Sequence, residues 1–99
     1  MNIKKGDKFI VVEDISTHAL IHWKAPFTDG VNCVIPKGTV LVAYADSMPF
    51  YDGFGCLPEN ENEFEKKIIP EETRLKPKYA GYSLAMTKKD MEKIIRKIN

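Results

Sequence analysis

Apolar and polar residues change their spacing several times along the chain, and each change predicts an element. The densest pattern lies in residues 31–46, VNCVIPKGTVLVAYAD, where two apolar runs meet at Ile35-Pro36-Lys37-Gly38. Pro36 fixes its own φ and Gly38 tolerates positive φ, which suits a tight reversal. Val40, Val42 and Tyr44 alternate with Leu41, Ala43 and Ala45, a pattern that predicts a strand covered on both faces. The segment is therefore expected to be a hairpin at the centre of a sheet.

Upstream, Lys5-Gly6-Asp7 predicts a turn before a strand over residues 8–15, with Phe9, Val11 and Ile15 on one face and Ile10 and Val12 on the other. A second strand is expected over 19–23, placing Ala19, Ile21 and Trp23 opposite His18, Leu20 and His22. Residues 25–30 break it, with Asp29-Gly30 as the turn signal. Residues 46–55 have no strand or helix period but carry Phe50, Tyr51 and Phe54, and are read as an aromatic loop. Asn60 can cap the amide of Glu63, and Glu63 can reach back. A short helix follows, with Phe64 and Ile68 buried and Pro70 ending it. Residues 70–81 read as loop with one helical turn at 70–73, and residues 82–86 as a strand with Tyr82, Leu84 and Met86 on one face. Thr87 and Asp90 form a capping box for a last helix whose stripe is Met91, Ile94, Ile95 and Ile98.

Together these elements predict one domain over residues 1–99 of the α+β class, mostly β. A small antiparallel sheet or a partly open barrel is expected, with a short middle helix and a C-terminal amphipathic helix laid over it. The Gly6-Asp7 and Pro36-Lys37-Gly38-Thr39 turns resemble those of small SH3-like barrels. That resemblance implies a fold and carries no activity.

Composition narrows the functional classes. With 43% hydrophobic and 29% charged residues the chain reads as globular, and a formal net charge of +1 supplies no strong field toward nucleic acid or membrane. No apolar run approaches the length of a membrane-spanning helix or a signal-peptide core, so the expectation is a cytoplasmic protein with Cys33 and Cys56 reduced.

Candidate chemistry is sparse. His18, His22, Cys33 and Cys56 have the donor types of a zinc site, but the cysteines are not paired in sequence as structural sites need, so no metal and no cofactor is expected. Cys56 with His18 or His22 and Asp46 or Asp52 offers the parts of a thiol hydrolase. Asp52-Gly53-Phe54-Gly55 lacks the spacing of a phosphate loop. Lys89, Lys93, Arg96 and Lys97 form a basic set that could touch phosphates, though they also suit the wet side of a helix. Loop aromatics are the strongest hint: Trp23, Phe50, Tyr51 and Phe54 are the candidate contact residues. The leading reading is a small non-enzymatic interaction module acting on a protein or peptide partner. A Cys56 hydrolase and a nucleic-acid contact through the basic helix are the alternatives.

Overall fold

The computed structural model describes residues 3–23, 28–44 and 54–97. Seven strands form one antiparallel sheet: β1 (Lys8–Val11), β2 (Ile15–Trp23), β3 (Thr28–Ile35), β4 (Val40–Ala43), β5 (Phe54–Pro58), β6 (Tyr79–Met86) and β7 (Ile94–Arg96). Their order across the sheet is β3-β2-β6-β5-β4-β1-β7, so β3 and β7 are its edges and it does not close. Helices α1 (Glu61–Ile68) and α2 (Glu71–Arg74) lie between β5 and β6 in the chain.

The connection from β1 to β2 explains the shape. These strands hold the sixth and second places in the sheet. In a flat sheet they would lie ~19 Å apart, at ~4.8 Å per strand. The chain from Val11 to Ile15 reaches at most ~14 Å. The sheet is therefore strongly curled, with its concave side inward. That side carries Phe9, Val11, Ile15, Ala19, Ile35, Leu41, Phe54, Cys56, Leu84 and Met86, each 1% exposed or less. Phe9 of β1 meets Phe54 of β5 with ring centroids 4.9 Å apart.

The expected central hairpin is not formed. The turn is present, with the Thr39 amide donating to the Pro36 carbonyl and Gly38 at φ +95°. Its other groups, however, bind elsewhere. The Gly38 amide donates to the Val11 carbonyl, the Val11 amide to the Thr39 carbonyl, and the Lys37 amide to Asp14 Oδ1. The turn thus docks on the end of β1. β3 leaves it to pair with β2, and β4 leaves it to pair with β1 and β5. The central place belongs to β5, inside which the aromatic loop was expected to end. Within β4 the inward set is Leu41 and Ala43, while Val40 and Val42 are half-buried and Tyr44 just beyond them is exposed. Only one face of that strand lies in the core.

The middle helix follows its sequence signals. Asn60 Oδ1 accepts from the Glu63 amide, and Asn60 Nδ2 donates to Glu63 Oε2 at 2.9 Å. Phe64 is buried and Ile68 half-buried. Ile69 is extended before Pro70, and the four residues of α2 supply the expected helical turn. In β6, Tyr82, Leu84 and Met86 all point inward.

The C-terminal helix is the largest correction. Thr87 and Asp90 do make their capping box, with the Thr87 amide donating to Asp90 Oδ2 at 3.0 Å and the Asp90 amide reaching back to Thr87 Oγ1. Only a 3-10 turn, Asp90–Lys93, follows it. Ile94 is extended, at φ −130° and ψ 154°, and begins β7, which pairs with β1. The free edge of β1 competes for this segment, and two adjacent β-branched isoleucines suit a pleated surface. The predicted stripe therefore splits: Ile94 faces the core and Ile95 faces solvent, while Ile98 lies outside the described residues.

Candidate functional site

The two edges of the sheet present different chemistry. β7 is three residues long. Arg96 in it donates to Asp7 Oδ2 at 2.7 Å and lies 5.3 Å above the Phe9 ring. The backbone amide of Lys4 and then the Arg96 guanidinium hold the Asp7 carboxyl below its usual range. Short length and flanking cations (Lys93, Lys97) are the usual protection of a sheet edge.

β3 is eight residues long, and Gly30 to Ile35 carries no charge. Among the described residues no strand pairs with its outer side. Val34 is 54% exposed on that edge. Asp29 and Gly30, read from sequence as a turn, are strand residues opposite Ile21 and Leu20. The His18 imidazole lies across Gly30 from β2, in the space a Cβ would take, so a larger residue there would displace the ring. His18 Nδ1–H donates to Asn32 Oδ1 at 2.6 Å, fixing that ring along the edge strand. A depression of about 560 Å³ runs beside this stretch, lined by Thr17, His18, Asn32, Cys33, Val34 and Asp90 among others.

At the other end of β3 lies Trp23. The pairing of β2 with β6 shifts register between His22 and Trp23: His22 sits opposite Gly81 and Trp23 opposite Tyr79. Such an irregularity turns the side chains beside it, and Gly81 absorbs it at φ +132°. Trp23 is half-buried, donates from Nε1 to Asp29 Oδ2 at 2.7 Å, and meets Tyr79 edge-on at 6.4 Å. The Tyr79 hydroxyl is enclosed, with Glu65 as its charged neighbour. Burial, and then the charge of Glu65, push its phenol up to about 12. A further cleft of about 690 Å³ lies between the β3–β4 turn and α1. Of its polar groups, Asn60 and Glu63 cap the helix and Glu59 pairs with Lys8 at 3.2 Å.

Of the four residues proposed from sequence for contact, Trp23 and Phe54 are described and lie at opposite ends of β6. Trp23 lies at the surface corner just described. Phe54 is 1% exposed and packs on Phe9, so its ring belongs to the core. Phe50 and Tyr51 lie outside the described residues, as do Asp46, Asp52 and residues 24–27. Of the parts of a thiol hydrolase, Cys56 and the two histidines are described and lie on opposite faces of the sheet. Cys56 is buried on the concave side, and burial followed by the Asp90 charge pushes its thiol up to about 12. His18 and His22 project from the opposite face, where His22 Nε2 bonds Ser83 Oγ at 2.7 Å. Among the described residues no group of three or more His, Cys, Asp or Glu is placed to hold a metal ion. No helix there is long and apolar enough to cross a membrane. The basic set dissolves with its helix: Lys89 precedes the 3-10 turn, Lys93 ends it, and Arg96 is in β7 bound to Asp7.

Sequence reasoning missed the β3 edge because Asp29-Gly30 looked like a turn. It also missed Lys76, which read only as loop and whose ammonium lies 5.5 Å from the centroid of the Trp23 ring. The available signal was the uncharged run after Gly30. Compared with protein-family models, with curated proteins and with solved structures, the chain matches none.

Proposed function

We infer that this protein is a non-enzymatic interaction module whose binding site is the outer edge of β3. It takes an extended segment of a protein or peptide partner as an eighth strand. The observation that carries this reading is an eight-residue edge strand left uncharged along most of its length. Strand addition uses the free amides and carbonyls of such an edge for affinity, and neighbouring side chains for selection. Val34, exposed, and the His18–Asn32 pair supply those side-chain contacts. The His18–Asn32 hydrogen bond orders that pair before binding, and a pre-ordered edge loses less entropy.

The test is selection of random linear peptides on the protein, with counter-selection on a Val34→Lys variant. A lysine on an edge strand opposes addition of another strand. Selected peptides are expected to be extended and alternating, to shift the backbone amide resonances of residues 30–35, and to bind the variant at least ~10-fold more weakly, about 1.4 kcal/mol. Binders that leave those resonances unmoved, binders indifferent to Val34→Lys, or an empty selection would each refute the reading.

A further inference from the structure

We propose that the segment taken by this edge is β3 of a second copy of the same chain, paired antiparallel about a two-fold axis at Asn32. The proposal rests on strand addition at β3 and names the partner.

The backbone bonds of the sheet fix which groups of β3 face outward. In β4 the Ala43 amide donates to the Asp7 carbonyl, on the β1 side. The Tyr44 amide donates to the Gly55 carbonyl and the Glu59 amide to the Val40 carbonyl, on the β5 side. A strand residue turns its N–H and C=O to one side, and its neighbours turn theirs to the other. This alternation carries across the sheet through the pairings of Val42 with Leu57, Cys56 with Leu84, Leu20 with Ser83 and Ala19 with Val31. Val31 and Cys33 therefore bond β2, and Gly30, Asn32 and Val34 turn their amides and carbonyls outward. Pro36, the next outward position, has no amide.

Three features make this edge complementary to itself. First, the outward residues are evenly spaced about Asn32. A two-fold axis there sets Gly30 against the partner's Val34 and Asn32 against the partner's Asn32, and each facing pair exchanges two backbone bonds. Second, the side chains fit. Val34 is 54% exposed, and the residue it faces has no side chain. The His18 imidazole lies over that glycine instead, so the partner's Val34 packs on the ring. Each Asn32 Oδ1 accepts from its own His18 and keeps a second lone pair for the amide of the other Asn32. Third, no like charges meet. Residues 30–35 carry none, and Asp29, just outside the ladder, is turned to the Trp23 indole. The same operation about Ile95 of β7 would set Lys93 against the partner's Lys97. Neighbouring registers are worse. An axis at Val31 draws Asp29 into the ladder opposite the half-buried Cys33, and one at Cys33 sets Gly30 against the partner's Pro36.

Three facing pairs make a small interface, of the class below ~1,200 Å² that holds weak, reversible complexes. Half of the chains are expected to pair near ~0.1 mM, read as a rise in sedimenting mass from one chain toward two between ~10 μM and ~1 mM. Over that range amide exchange is expected to slow at Gly30, Asn32 and Val34, and to change less at Val31 and Cys33. Val34→Lys is expected to weaken the pairing at least ~10-fold. Val31→Cys reads the register, because Val31 faces the partner's Cys33 in a close, non-hydrogen-bonded pair whose spacing suits a disulfide. With oxidised glutathione this variant is expected to link into dimers, and the unchanged chain is not. A single-chain mass at every concentration, with selected peptides still moving the resonances of residues 30–35, would overturn the second copy and leave strand addition standing. A dimer indifferent to Val34→Lys, or a link through Cys33 in the unchanged chain, would place the contact off Asn32 and overturn the proposal too. A single-chain mass with no peptide response would remove both readings.

Discussion

β7 contributes three residues to its edge of the sheet and β3 contributes eight, and the difference extends to their chemistry. The short edge ends in Arg96, tied to Asp7 and lying over Phe9, with lysines before and after it. The long edge has polar contacts that run inward or along the strand, such as His18 to Asn32, and leaves Val34 outward. Among the described residues, one edge is therefore shielded against a neighbour and the other is not. Shielding by charge is available to this sequence, which is 29% charged, so its absence from Gly30 to Ile35 marks β3 as the side to test.

The largest expected effect comes from the core beneath the shielded edge. Phe9→Ala removes the ring that meets both Phe54 and Arg96 and is expected to cost ~3–5 kcal/mol, read from urea unfolding. Ile94→Ala, at a residue 4% exposed in β7, is expected to cost ~2–5 kcal/mol and to speed amide exchange in β1. A loss for Ile94→Ala no greater than that of a surface substitution would mean that β7 is only loosely held, and the contrast between the edges would collapse. Val34→Lys is expected to change stability by less than ~0.5 kcal/mol, because its site is exposed, while removing peptide binding. The smallest effect is set by pH. The Asp7 pKa is lowered, first by the Lys4 amide and then by Arg96, so its contribution is complete above the ordinary carboxylate range. It is lost as pH falls through the depressed value. Amide exchange in β7 is then expected to quicken relative to β3 on acidification, once corrected for intrinsic rates. Equal changes at both edges would remove Asp7 from the account.

What could be read from sequence depended on how local the cause was. Asn60 and Glu63 interact three residues apart, and the middle helix came out as expected. Thr87 and Asp90 are equally close, and their box is present. It fixes one turn, though, and cannot decide what Ile94 and Ile95 do once β1 offers an unpaired edge. Strand partners are the extreme case. Nothing within residues 31–46 says that the Gly38 amide will prefer the Val11 carbonyl to a hairpin of its own. β5 was hidden because Gly55 and Pro58 are poor strand formers, and its place is dictated by Phe54 and Cys56 meeting the core. At the surface corner, Trp23 was legible as an aromatic beside a turn. Lys76 lies over its ring from the segment before β6, next to the β2–β6 register shift.

Asp7 and Arg96 meet although they stand 89 positions apart in the chain. At a synthesis rate of ~5–20 residues per second, a newly made β1 therefore waits ~4–18 s for the segment that will cover its outer flank. Through that interval the outer flank of β1 stays open, and β7 then seals it from within.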